Sequence, residues 1–412
     1  MAKQFDIPLF YRGDILSVVK KVRAARDPRK RDMTPSVLDF GPVVFKVARS
    51  FGFCYGVENA IEIAYRMLDE HPDRRQFMLS EMIHNPHVNE DLLSRGMRFL
   101  RTSMGEQLIP LDTLMPDDIV LIPAFGTTVE IRQELAARGL DVKTYDTTCP
   151  FVAKVWRRGK QIGRKGFTVV VHGKRYHEES RATFSHAQQH APVIVLRDVN
   201  EARDLARVIE GQENAMFFFK RFDDCYSEGF DPDKDLVRIG VVNQTTMLVR
   251  ETQAVAAVLR QALVRRYGAA SVEDHFADTS DTLCYATHEN QEAAKALLEV
   301  PLDLALVVGG YNSSNTSQLA TLCSEVVPTY FVRDADEILS PERIRHFDYP
   351  SQTLQATESW IPDKRPVHMA LTAGASCPDA QLDQVIQRII GMIPGARSPG
   401  EMLSDFHAPA ST

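Results

Sequence analysis

Short apolar runs along the chain end in glycine or small polar residues, and each leads into a stretch with helical period. The runs at 118–126, 167–173, 302–310 and 368–376 are followed by Thr127-Thr128, Tyr176-His-Glu-Glu179, Asn312-Ser-Ser-Asn315 and Cys377-Pro-Asp379. Downstream, Leu319, Leu322, Cys323 and Val326 fall on one helical face, as do Leu382, Val385, Ile386, Ile389 and Ile390. Val57, Ile61, Ala64 and Leu68 mark a further helix directly after Cys54. Pro378 suits the first turn of its helix, where a missing N–H costs little. Strands alternating with helices at this spacing predict an α/β fold with mostly parallel sheets.

Other segments fall outside this rhythm. The first 40 residues of the 1–44 extension hold no apolar signal core; a basic stretch (Lys20, Lys21, Arg23, Arg26, Arg29, Lys30, Arg31) is accompanied by Asp6, Asp14, Asp27, Asp32 and Asp39. Those acids speak against an organellar transit peptide, and the expectation is a solvated N-terminal extension. Residues 205–236, rich in Asp, Phe and Gly, read as an inserted excursion, and the tail from 393 reads as loose.

The chain has 412 residues, a soft prior of about three domains. A net charge of −7 speaks against a nucleic-acid surface. No apolar run approaches the roughly 20 residues that a membrane helix needs. Six cysteines in so long a chain, without a secretory signal, suggest a reducing cytoplasm and no disulfide framework.

Three of those cysteines share a setting. Cys54 sits in Gly-Phe-Cys-Tyr-Gly, Cys149 in Asp-Thr-Thr-Cys-Pro and Cys284 in Asp-Thr-Leu-Cys-Tyr. Their gaps of 95 and 135 residues are too wide for a zinc knuckle or a ferredoxin-type ligand run. Three thiolates on an iron–sulfur cube leave one iron open to a substrate. Each cysteine alone reads equally as a small buried hydrophobe, and Cys323, on an apolar helix face, fits that description.

Strand-to-helix turns bind phosphate through unpaired N–H groups and the helix dipole. Asn312, Ser313, Ser314, Asn315 and Ser376 are small donors at such turns, although Asn-Ser-Ser-Asn is also a plain helix cap. His84 and His177 are phosphate donors when protonated. Glu179, beside an anion, would hold a proton to deliver, yet Glu178 and Glu179 also read as first-turn acids. Thr245 and Thr246 follow the strand 237–242 and offer hydroxyls.

Eight motifs, taken in order, resemble the 4-hydroxy-3-methylbut-2-enyl diphosphate reductase family, LytB-type enzymes of the non-mevalonate isoprenoid pathway. They are Gly-Phe-Cys-Tyr-Gly-Val (52–57), Ile-His-Asn (83–85), Asp-Thr-Thr-Cys-Pro (146–150), His-Glu-Glu (177–179), Asn-Gln-Thr-Thr (243–246), Cys-Tyr-Ala-Thr (284–287), Asn-Ser-Ser-Asn (312–315) and Thr-Ala-Gly-Ala-Ser (372–376). Ile-Pro-Ala-Phe-Gly (122–126) and His-Gly-Lys (172–174) look like the long plant and cyanobacterial branch.

The resemblance implies three similar α/β units arranged as a trefoil around a 4Fe–4S cluster. On this chain the units would fall at 45–148 with Cys54, 149–280 with Cys149 and 281–392 with Cys284. It implies those cysteines as ligands, diphosphate contacts from His84, His177, Ser313, Ser314, Asn315 and Ser376, Glu179 as the proton-relay acid and Thr245 as a hydroxyl near the substrate alcohol. The implied reaction removes the allylic hydroxyl as water with two electrons and two protons, giving isopentenyl or dimethylallyl diphosphate. A ferredoxin or flavodoxin is the implied electron donor. One departure stands out: Phe125 occupies the place of a second pocket histidine in short members, and His172 or Lys174 is the expected compensation.

Two other readings compete. A quinolinate synthase-type dehydratase also leaves one iron open but acts on carboxylates. A binding protein with structural zinc would be redox-silent and closed.

Overall fold

The computed structural model describes residues 5–277 and 282–407. Asp281, the first residue of the second Asp-Thr-x-Cys element, and residues 408–412 of the tail lie outside them. The described residues form two compact units, one drawn from 5–58, 84–87 and 285–407, the other from 59–83, 88–277 and 282–284.

The first unit is built on a five-stranded sheet in the order Ser36–Asp39, Val43–Val47, Val367–Ala373, Leu304–Val308, Thr329–Val332. Only the first pair is antiparallel. The side-chain period of two explains the unbroken apolar run at its centre. Leu304, Leu306 and Val308 face a core shared with the helices Asp14–Arg26 and Asp379–Met392. Ala305 and Val307 face the opposite core, with Ala293, Ala294 and Leu297 of Tyr285–Leu298 and Leu319 and Cys323 of Ser314–Ser324.

Both chain ends depart from the sequence reading. The N-terminal segment is not a solvated extension: Phe5, Ile7, Tyr11, Ile15, Leu16 and Val19 are buried. Its helix is amphipathic, and the Asp383 carboxylate caps it from another helix by accepting from the Ile15 and Leu16 N–H groups at 2.7 and 3.1 Å. The tail is not loose up to 407, because Pro399–His407 is a helix whose Met402, Leu403 and Phe406 pack on the same core. Two smaller details also shift. Val326 lies past the end of Ser314–Ser324 and is exposed, and Pro378 is the N-cap of its helix rather than a first-turn residue.

The second unit carries two parallel sheets. One orders Arg98–Phe99, Gln76–Met78 and Ile119–Leu121; the other orders Val193–Leu196, Thr168–His172, Ile239–Asn243 and Phe276–Ala277. In the larger sheet, Val169 and Val171 pack with Val155 and Ile162 of the helix Pro150–Arg164. Val170, Ile194 and Val241 face the other way. There the 205–236 segment supplies Phe218, Phe222, Phe230 and Leu236, all buried, with the Phe218 and Phe230 rings stacked at 5.1 Å. The observed class is mixed α/β with mostly parallel sheets, as the strand–helix alternation predicts.

Candidate active site

Each of Cys54, Cys149 and Cys284 is the last residue before a helix. Cys54 precedes Tyr55–Glu70, Cys149 is the N-cap of Pro150–Arg164, and Cys284 precedes Tyr285–Leu298. Backbone bonds fix two of these turns: the Cys54 N–H donates to Ala375 O at 3.2 Å, and the Cys149 N–H to Ala124 O at 2.9 Å. Pro150 fits the helical position after Cys149, since an N–H there would have no helical partner. A helix N-terminus favours an anionic sulfur, so all three positions suit thiolate donors of the kind an iron–sulfur group requires.

The other cysteines are placed differently. Cys323 is enclosed in an apolar core that pushes its thiol up to about 12. Cys377, fully buried, donates to Gln381 Oε1 at 3.3 Å, and burial raises its thiol strongly. Cys225 lies 3.4 Å from Arg175 Nη1, with a thiol raised mainly by burial. Cys54 belongs to the first unit, Cys149 and Cys284 to the second. Among the described residues no three His, Cys, Asp or Glu side chains form a group that could hold a metal ion.

In the first unit, three turns meet. Ser313 caps the helix Ser314–Ser324 by accepting from Thr316 N, and its Oγ lies 3.5 Å from Ser376 Oγ. Ser376 Oγ donates to the His84 carbonyl at 3.1 Å, and Asn315 Oδ1 accepts from Ala375 N at 2.8 Å. The approach requires glycine: a Cβ on Gly310 would stand 2.5 Å from His84 O, and one on Gly374 2.0 Å from Thr316 Oγ1. His84, Ser313, Ser314, Asn315 and Ser376 are thereby gathered, all buried. Asn85 Nδ2 to Gln381 Oε1 at 2.8 Å and His87 Nε2 to Asp334 at 2.9 Å hold the histidine segment on the same unit.

In the second unit, His177 is the N-cap of Glu178–Gln188, and its Nδ1 accepts from the Glu179 N–H at 3.1 Å. A ring that accepts at Nδ1 is neutral and carries its proton on Nε2, so His177 donates without being charged. The ring of Phe125 stands edge-on to it, centroids 5.6 Å apart.

Glu179 is 1 % exposed and accepts from Thr245 N at 2.6 Å and Thr245 Oγ1 at 3.0 Å. Both bonds favour the carboxylate, but burial outweighs them and lifts the group to about 7. Glu178 is also buried and lifted to about 8, by burial first and by the nearby Glu81 charge. The sequence reading missed its burial, which a first-turn position does not signal.

The motif Asn-Gln-Thr-Thr also contributes two residues whose roles only the fold shows. Gln244 Oε1 accepts from Lys174 N at 3.0 Å and from Ser180 Oγ at 3.2 Å, tying two turns together. Asn243 Oδ1 accepts from Thr282 Oγ1 at 2.5 Å, fixing the chain two residues before Cys284. The threonine of the Asp-Thr-x-Cys element was the available signal. His172, by contrast, is fully buried, bonded through Nδ1 to Thr252 Oγ1 at 2.9 Å, and held down to about 4 by burial. It is a neutral core histidine.

No helix among the described residues is long and apolar enough to cross a membrane. The family model described as LytB protein matches residues 45–390. The 4-hydroxy-3-methylbut-2-enyl diphosphate reductase of Gloeobacter violaceus is 40% identical over 352 residues, which cover 85% of this chain and 83% of that protein. The Synechococcus sp. (strain RCC307) protein of the same name is 39% identical over 363 residues, covering 88% and 87%. A solved structure of (E)-4-hydroxy-3-methyl-but-2-enyl diphosphate reductase aligns with TM-score 0.50 at 25% identity, over 84% of this chain and 98% of that one. The Plasmodium falciparum reductase structure aligns with TM-score 0.59 at 20% identity over 88% and 97%, a likeness of fold. By the span of the family match and the identity of these relatives, the chain belongs to the LytB family.

Proposed function

We propose that this protein reduces 4-hydroxy-3-methylbut-2-enyl diphosphate to isopentenyl and dimethylallyl diphosphate, releasing the allylic hydroxyl as water. The observation that carries the chemistry is the buried Glu179–Thr245 pair, in a chain whose family match spans 45–390. A 4Fe–4S cluster held by Cys54, Cys149 and Cys284 would supply electrons and a Lewis-acidic iron.

The rest falls to the side chains. Ser313, Ser314, Asn315, Ser376 and His84 take the diphosphate, using the N-terminus of an 11-residue helix and donor side chains in place of lysines. His177 adds an uncharged Nε2–H donor. That remote binding energy orients the reacting carbon. Glu179, lifted to about 7, holds a proton near neutral pH and gives it up to the leaving oxygen. Thr245 Oγ1, bonded to that carboxyl, orients it toward the substrate hydroxyl. The second proton goes to carbon as the two electrons enter. Ferredoxin or flavodoxin supplies the electrons, in the cytoplasm.

Protein purified without oxygen, with reduced viologen as donor, should oxidise the viologen only when the substrate is added, and yield both isomeric diphosphates. A brown, iron-replete protein that leaves the viologen reduced would overturn the assignment.

A further inference from the structure

The segment before the family match packs against the turn that carries Cys54. Lys20 Nζ lies 2.7 Å from Asp379 Oδ1 and 4.4 Å from the centre of the Phe51 ring. Tyr11 meets Phe53 edge-on at 5.7 Å, and Phe5 meets Tyr55 at 4.9 Å. Between them, Gly52 has φ +77°, and a Cβ there would stand 2.4 Å from Asp379 Oδ1 and 3.1 Å from Lys20 Nζ. Beyond the turn, burial raises the Glu58 carboxyl while the charges of Lys20 and Arg12 lower it. So residues on both sides of Cys54 are met by residues 5–20, which precede the matched span of 45–390. The segment is itself anchored on one helix, Asp379–Met392, through Asp379 and Asp383.

We propose that residues 5–20 form a strap that holds the Cys54 turn in shape, with Lys20 as its positioning residue. Lys20 does this through two attractions at once, an ion pair to Asp379 and a cation–π contact with Phe51. Because Asp379 also borders Gly52, loosening the ammonium releases both groups that pack on the turn there. The part of the proposal that concerns iron retention rests on Cys54 being a cluster ligand.

The test compares wild type, Lys20→Met, Lys20→Arg and, as a control on another surface ion pair that does not touch the strap, Lys295→Met. The first readout is amide hydrogen exchange of the peptide containing Cys54, measured on full-length protein without iron. Lys20→Met should speed exchange there by roughly three- to tenfold, Lys20→Arg should restore most of the protection, and Lys295→Met should change nothing. The second readout is anaerobic release of iron to a ferrous chelator from loaded protein, expected to quicken in Lys20→Met by a similar factor. Unchanged exchange in Lys20→Met overturns the strap. Faster exchange with unchanged iron release overturns its role in positioning the ligand. A wild type that takes up no iron would sink the proposed function instead, and the exchange result would still decide the strap.

Discussion

Replacing Glu179 by Gln should raise the protein's stability relative to wild type as pH rises, and make it much slower. The carboxyl is lifted from an ordinary 4.5 to about 7, chiefly by burial. A folded-state value above the unfolded one means the native protein holds this proton more tightly. The stabilising effect of that proton is complete below pH 4.5 and is lost as pH rises through about 7. Over the whole window the loss is about 3 kcal/mol, at 1.36 kcal/mol for each pH unit. Glutamine has the same shape, accepts the Thr245 N–H through its carbonyl, and carries no ionisable proton. Its stability relative to wild type should therefore grow by about 2.5 kcal/mol between pH 5 and pH 8, whatever constant amount the altered hydrogen bonds cost. Turnover should fall at least about tenfold, the low end for losing a general acid. Denaturant unfolding of both proteins at the two pH values, with viologen-coupled kinetics on the same samples, reads both effects. An advantage that does not change with pH would refute the burial argument, and wild-type turnover would remove Glu179 from the chemistry.

Three other expectations follow from the same geometry. Cys149→Ser should keep its secondary structure by circular dichroism but lose iron, visible absorption and activity; an iron-replete, active variant would remove Cys149 from the ligand set. Thr245→Val deletes one of the two bonds that favour the Glu179 carboxylate. The descending limb of the pH–rate profile should accordingly move to higher pH, and a limb that stays or moves down contradicts the pairing. Phe218→Ala empties the centre of an aromatic cluster, since Phe218 is fully buried against Phe219, Phe222, Tyr226 and Phe230. It should cost about 3–5 kcal/mol in denaturant unfolding; a loss below about 1 kcal/mol would mean that residues 205–236 do not serve as core.

Much of the fold was legible because burial on both sheet faces leaves a continuous apolar run. The 302–310 and 167–173 runs became central strands, Leu304–Val308 and Thr168–His172. What a linear reading missed is non-local. The five-stranded sheet takes Ser36–Asp39 and Val43–Val47 from before Cys54 and its other strands from beyond residue 300. No local pattern announces that residues so far apart in sequence share a sheet. The N-terminal segment misled for a related reason. Its charges are numerous, but Lys20 and Arg23 are answered by Asp379 and Asp32, which leaves Ile15, Leu16 and Val19 free to enter the core. Charge counting alone sees the first set and not the second.

The site shows where motif reading stops and geometry takes over. His-Glu-Glu offers two adjacent carboxyls, and adjacent helical residues point about 100° apart, so only the fold says what each one meets. Both are buried and both are lifted, Glu178 to about 8 and Glu179 to about 7, so the pKa does not single out the proton donor. Their partners do. Glu179 is the one bonded to a threonine backbone N–H and hydroxyl, which hold its carboxyl in one orientation. Glu178 has a single side-chain hydrogen bond, from Ser80, and keeps its other oxygen, Oε2, buried without a hydrogen-bond partner, with Glu81 and Arg181 nearby. An acid that must hand a proton to one oxygen needs a fixed direction as well as a suitable pKa. On that criterion Glu179 acts on substrate, and Glu178→Gln should leave the shape of the pH–rate profile unchanged while Glu179→Gln abolishes its descending limb.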